Sequence, residues 1–324
     1  MMASALWYEA AGAAVLREES LPEPALDEAR VATRWGAISR GTERLIFEGR
    51  VPASERQRMR APFQQGDFPF PVKYGYCAAG VVEAGPPDWL GRAVFCLHPH
   101  QDRFVAPLAA LRPIPEETPP RRAPLAANME TALNALWDSG GGPGDRIIVV
   151  GAGVLGLLIA YLAARLPGSD VLVIDKEAAR GEIASALGAQ FKLAEDFQPE
   201  LAQADVVFHA SATAQGLALA LASAGLEATI VEASWHGEGD TPTPLGGAFH
   251  AKRLRLISSQ VGQVSPSRRP RWPHARRLDK ALALLADPLL DALISEEIAF
   301  EATPRELPRL LAPGAPGLAT LIRY

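Results

Sequence analysis

The spacing of apolar residues changes character twice along the chain. Over residues 1–127, short β-type runs such as Ala79-Gly-Val-Val82 and Ala93-Val-Phe-Cys-Leu97 are broken by turn signals about every ten residues, which predicts a β-rich domain. Prolines at 113, 115, 119 and 120 mark a connecting loop. Residues 123–137 then read as a helix, stopped by Ser139-Gly-Gly-Gly-Pro-Gly144. From Asp145 to about Gly262, strand-like runs at 147–150, 171–174, 205–209 and 229–232 alternate with alanine-rich helical stretches, the pattern of a doubly wound parallel sheet. Beyond Gln263 a basic, proline-broken stretch (265–277) leads into a predicted helix at 278–286, a strand near 298–300 and a closing apolar run at 319–322. No internal repeat or low-complexity tail is present.

The most specific local signal is Arg146-Ile-Ile-Val-Val-Gly-Ala-Gly-Val-Leu-Gly156, followed by Val171-Leu-Val-Ile-Asp175. It reads as a buried strand, a tight glycine turn, an apolar helix and a second strand closed by a carboxylate. Gly151 permits the turn, Gly153 lets a pyrophosphate approach the backbone, and Gly156 lets the helix lie close on the sheet. The helix N-terminus, with Val154 and Leu155 in its first turn, offers unpaired N–H groups to phosphates. Asp175, nineteen residues past Gly156, is placed to accept hydrogen bonds from a ribose diol and to repel a 2′-phosphate. NAD(H) is therefore expected in preference to NADP(H).

Composition narrows the class. A chain of 324 residues is long enough for two domains with substantial cores, and a net charge of −5 with both signs interspersed argues against general nucleic-acid binding. Two cysteines, Cys77 and Cys96, support neither a disulfide framework nor a four-cysteine zinc lobe, which suits a reducing, cytoplasmic setting. The first residues, Met1-Met-Ala-Ser-Ala-Leu-Trp-Tyr-Glu9, lack the basic and long apolar regions of a secretory signal. Residues 147–164 form an eighteen-residue stretch without charge, but the glycine spacing splits it into strand and helix instead of a membrane span. The expected partner is a small-molecule substrate, with no nucleic acid and no membrane; a homodimer is compatible with the sequence.

Upstream, Pro71-Val-Lys-Tyr-Gly75-Tyr-Cys-Ala-Ala-Gly80-Val-Val-Glu-Ala-Gly85 resembles the G-H-E-x-x-G-x-V segment of the medium-chain dehydrogenases/reductases. Ile38-Ser-Arg-Gly-Thr-Glu43 resembles their C-G-T-D turn, and Leu90-Gly-Arg-Ala-Val94 their G-D-x-V strand. With the glycine turn and Asp175, the resemblance spans nearly the whole chain in the right order. It implies a GroES-like β-rich catalytic domain from residues 1–127 and 263–324, a Rossmann domain from residues 128–262, and a substrate bound in the cleft between them.

The departures from that pattern concern zinc. The family's metal-binding Cys, His and Cys or acid are replaced by Arg40 (or Ser39, if the turn shifts by one), Tyr76, and Ala126 or Ala127, and the structural zinc lobe after Phe95 is missing. A zinc-less member with no catalytic zinc and no metal ligands is expected. Cys96, His98 and His100 alternate along one strand face, but Pro99 interrupts it.

Without zinc a side chain must move the alcohol proton. Tyr76 or His98 as acid/base, with Thr42 as relay, is the expected constellation. Filling of the vacated volume is the alternative for Tyr76, and pocket lining for His98. Glu43 is expected to be structural and Arg40 to pair with it, an anionic substrate group being Arg40's other candidate partner. Arg180 matches the family's basic residue near the adenosine ribose, and Ser211 and Val231 end the strands expected to reach the nicotinamide half. The basic motif Phe249-His-Ala-Lys-Arg253 and Arg268, Arg269, Arg271, Arg276 and Arg277 suggest a solvated face or an anion site. The resulting reading is a zinc-independent, NAD-preferring alcohol/carbonyl oxidoreductase. Its rivals are an enoyl or quinone reductase and a catalytically silent nucleotide sensor.

Overall fold

The computed structural model describes all 324 residues. They form two compact units: residues Met1–Ala127 with Leu278–Tyr324, and residues Asn128–Arg277.

In the second unit the strands Gln190–Leu193, Asp170–Asp175, Arg146–Val150, Ala204–His209, Ala224–Glu232 and Arg255–Ser258 lie side by side in that order. Every neighbouring pair is parallel. This is the Rossmann strand order, with the reversal at Arg146–Val150. Parallel strands covered on both faces must be apolar throughout, and Ile147, Ile148, Val149 and Val150 are all buried. The uncharged stretch 147–164 does split at the glycines, into the strand Arg146–Val150 and the helix Val154–Ala163. No helix of the molecule is long and apolar enough to cross a membrane.

The four strands read from the sequence are present, and two more, Gln190–Leu193 and Arg255–Ser258, complete the sheet. These edge strands are only four residues long and partly exposed, so their hydrophobic signal is weak. The helix expected at 123–137 runs Ala126–Ser139 after a 3-10 turn, and the one expected at 278–286 starts earlier, as His274–Leu284.

The first unit is β-rich. Its larger sheet runs Ile294–Ala299, Ala319–Arg323, Glu28–Ile38, Ala78–Ala84, Ala93–Cys96 and Arg112–Pro113, with Arg103–Pro107 also paired to Glu28–Ile38. The closing strand pairs antiparallel with the end of Glu28–Ile38, matching Thr320 with Ile38, so residues from both ends of the chain build one sheet. A second sheet holds Ala13–Ser20, Met2–Ala10, Val72–Lys73 and Gln65–Gly66.

The basic stretch before residue 278 stays with the nucleotide-binding unit, against the expected break at residue 262. The cause is Arg277, almost wholly buried. It donates to Glu130 (2.9 Å), to Asn134 (2.6 Å), and to the carbonyls of Gln263 and Val261. Its neighbours are equally committed: Arg269 donates to the Val264 carbonyl, Arg276 to that of Arg271, and Arg268 and Arg276 lie over Trp137 and Trp272. Arg269, Arg276 and Arg277 thus serve the protein's own carbonyls, while the buried Nε of Arg268 has no hydrogen-bond partner. Breaking a buried ion pair strands the surviving charge, and Arg277→Met should cost about 3–5 kcal/mol in urea denaturation, with Glu130→Gln added to it recovering part of the loss.

Candidate active site

The long strand Glu28–Ile38 ends at Ser39, which caps the helix Arg40–Phe47. Ser39 makes no side-chain capping bond. Its backbone N–H instead donates to Glu43 Oε1 at 2.8 Å. Glu43 is completely buried and its other oxygen accepts from Tyr8 Oη at 2.6 Å and from His100 Nε2 at 2.9 Å. Three donors thus hold one carboxylate, the condition for burying it. The structural role expected of Glu43 agrees with this geometry.

The Ser39 and Thr42 side chains lie close enough to the Tyr76 phenol to act on its ionisation. Thr42 and Tyr76, paired in the sequence reading, meet here, with Ser39 as a third member. Burial raises the Tyr76 phenol well above its usual range, nearby Cys77 and Glu43 push the same way, and Ser39 and Thr42 oppose them. The phenol is therefore a neutral donor at ordinary pH.

His98 does not join them. Its ring stacks on Phe104 at 4.0 Å and lies 5.3 Å from that of Phe63, and its Nδ1–H donates to the Pro99 carbonyl at 3.0 Å. Burial lowers its pKa to about 3. A ring so hard to protonate is a poor proton donor near neutrality, which corrects the acid/base role expected for it. Cys96, His98 and His100 do not converge either: Cys96 is a core thiol pushed up to about 12 by burial, and His100 reaches Glu43.

Arg40 does not pair with Glu43. It fans across the carbonyls of Leu310, Ala315, Pro316 and Gly317 at 2.7–3.0 Å, tying the helix to the segment before the closing strand. Zinc in a catalytic site takes three thiolate, imidazole or carboxylate donors. The corresponding positions hold the hydroxyls of Ser39 and Tyr76, a committed guanidinium, and the methyl groups of Ala126 and Ala127. That donor set does not fit the ion.

In the nucleotide-binding unit, Gly151 adopts φ +109°, and a Cβ there would lie 2.8 Å from the Ser211 nitrogen. A Cβ on Gly156 would lie 1.8 Å from the Gly151 carbonyl oxygen. Gly153 is the opposite case: nothing lies within 4 Å of its Cβ position, which leaves open space beside the N-terminus of the helix begun by Val154 and Leu155. Asp175 accepts from the Ala152 N–H at 2.6 Å and the Glu177 N–H at 2.9 Å, which aims its carboxylate at the glycine turn and leaves lone pairs for a diol. These features fit a dinucleotide. Arg180 begins the helix Arg180–Ala186. Val231 is fully buried within the sheet, so its side chain packs; the residue its strand presents at the carboxyl end is Glu232.

Glu232 and its partners were not anticipated. Glu232 Oε2 lies 2.6 Å from His209 Nδ1 and 3.4 Å from His236 Nε2, and Ser211 Oγ is 2.8 Å from His209 Nε2. The sequence carried a faint signal: His209 and Glu232 each end a predicted strand, and parallel pairing puts them level.

Buried neutral His98 couples stability to pH. The unfolded ring takes up a proton near 6.5 and the folded one only near 3, so the unfolded state binds more protons between those values. Stability should fall as pH drops through that window, and thermal melts of His98→Leu should show a shallower fall than wild type.

No family profile matches the chain. It is 24% identical over 306 residues to D-guloside 3-dehydrogenase of Escherichia coli (strain K12), covering 86% of this chain and 87% of that protein. Among solved structures, L-idonate 5-dehydrogenase from Escherichia coli superposes with a TM-score of 0.82 at 14% identity, covering 100% of this chain and 99% of that one. A putative zinc-binding dehydrogenase from Sinorhizobium meliloti 1021 bound to NADP gives 0.80 at 19% identity, with 100% of both chains covered. These relatives and neighbours are named as dehydrogenases, one of them as a putative zinc-binding dehydrogenase. The chain has the fold of the medium-chain dehydrogenases/reductases, a GroES-like β-rich domain joined to a Rossmann domain.

Proposed function

We propose that the protein is a nicotinamide-dependent alcohol/carbonyl oxidoreductase that works without zinc at the family position, prefers NAD(H), and acts on a polyhydroxylated secondary alcohol or the matching ketone. The observation that carries this reading is the Tyr76 phenol beside the Ser39 and Thr42 side chains where metal donors would otherwise stand. Bound nicotinamide supplies or takes the hydride. In the reducing direction Tyr76, held neutral by burial, donates its proton to the substrate oxygen. Ser39 and Thr42, beside the ring, then favour the phenolate. In the oxidising direction Tyr76 must first lose its proton to solvent, and the phenolate then takes up the alcohol proton as the hydride leaves to the nicotinamide. Relatives named for a guloside and for galactitol 1-phosphate support a polyol-like substrate.

Tyr76→Phe keeps the ring and removes the proton. It should lower turnover about a hundredfold or more with cofactor affinity nearly unchanged, whereas His98→Gln should stay within a fewfold, both read by cofactor absorbance on a panel of polyols and ketoses. Activity of Tyr76→Phe close to wild type would reduce that residue to packing and end this reading of the proton path.

The NAD(H) preference rests on Asp175, since one neighbour of the same fold holds NADP. Calorimetric titration should find NADH the tighter ligand, and Asp175→Ser should narrow the gap. Tighter NADPH would move the protein toward the enoyl or quinone reductases.

A further inference from the structure

The last residues of two adjacent parallel strands, His209 and Glu232, stand level in the sheet of the nucleotide-binding unit. His236 follows four residues beyond Glu232, and a ligand atom from each of the three lies within 4.8 Å of the others. We propose that His209, Glu232 and His236 form a binding site for a single divalent transition-metal ion of the zinc class. Two imidazole nitrogens and one carboxylate oxygen are a zinc donor set, and such a set leaves a position for water or a substrate oxygen.

The surroundings are built as metal sites are built. A ligating histidine normally has its second ring nitrogen held by a neighbour. His209 is wholly buried, points Nδ1 at Glu232 and has Nε2 at 2.8 Å from Ser211 Oγ. Metal binding takes the tautomer in which Nε2–H donates to Ser211, leaving the Nδ1 lone pair for the ion. Glu232 is oriented in the same way: its Oε1 accepts from the Ser234 N–H at 2.8 Å, so Oε2 is the oxygen turned to both histidines. The flanking backbone is pinned, with the Ala233 N–H on the His209 carbonyl at 2.9 Å and the Ala212 N–H on Ser234 Oγ at 3.0 Å. Gly216 completes the enclosure, since a Cβ there would lie 2.1 Å from Ser211 Oγ and 2.9 Å from His209 Nε2.

The exposure is graded as an accessible ion site requires. The His209 side chain is 0% exposed, that of Glu232 17% and that of His236 22%, so the ion would have a buried floor and a face open to solvent. The cluster lies at the carboxyl ends of the strands, the edge of an open α/β sheet at which ligands bind. It shares no residue with Ser39, Thr42 and Tyr76, so it neither needs nor excludes the proton path assigned to them.

The test uses the full chain, freed of any affinity tag and stripped with chelator, titrated with Zn²⁺ by calorimetry and with Co²⁺ by visible absorption. One ion per chain is expected, with a Co²⁺ spectrum of low-symmetry, nitrogen- and oxygen-ligated metal. Ser211→Ala, which frees the His209 ring and also removes the bond to Thr213, should weaken binding about tenfold to a hundredfold, and Glu232→Gln or His236→Gln should weaken it further. His236→Gln alters a partly exposed loop residue and keeps the test valid if changes at buried His209 unfold the protein. Absence of stoichiometric uptake would overturn the proposal. Uptake unaffected by Glu232→Gln and His236→Gln would overturn it too, by placing the metal elsewhere.

Discussion

One buried carboxylate organises the catalytic unit. Glu43 has no exposed surface, and Tyr8, His100 and the Ser39 backbone all donate to it, which satisfies a carboxylate taken out of water. Those donors come from three separate places: the first strand, the loop after Cys96, and the turn into the helix Arg40–Phe47. Glu43 accepts the Ser39 N–H, while the Ser39 side chain makes no capping bond and lies beside Tyr76. Gly75 lets His100 come close, since a Cβ there would meet the imidazole at 2.8 Å.

The nucleotide-binding unit depends on close backbone approach. The glycine turn presses against the carboxyl end of the strand Ala204–His209, and the Ala210 N–H bonds the Val150 carbonyl at 2.8 Å. The same crowding leaves Gly153 open on the outer side. Strand ends brought level by parallel pairing then present Asp175, Ser211 and Glu232 at one edge of the sheet, each from a different strand or the loop after it.

Local signals read well wherever a residue's role depends on its near neighbours in sequence. The glycine turn, Asp175, the splitting of the apolar stretch and the four central strands are all of this kind, because steric demand and periodicity act over a few residues. The pairing of Thr42 with Tyr76 was reachable only through the family resemblance, since thirty-four positions separate them in sequence. Residues whose partners come from afar were misjudged. Arg40 looked like a partner for nearby Glu43, but its guanidinium is consumed by carbonyls some 270 residues later. His98 looked reactive by position, but Phe63 and Phe104 close over it and keep it neutral.

By itself, then, the amino-acid order determined the two-part architecture, the parallel sheet and the phosphate turn, because backbone freedom and side-chain period are properties of short segments. Tertiary structure decided which polar groups meet. Burial chose the protonation preferences of Tyr76 and His98, long-range carbonyls claimed Arg40 and Arg277, and strand register brought His209 beside Glu232. The reason is that a polar side chain's behaviour is set by desolvation and by the donors around it, and both exist only once distant segments have packed together.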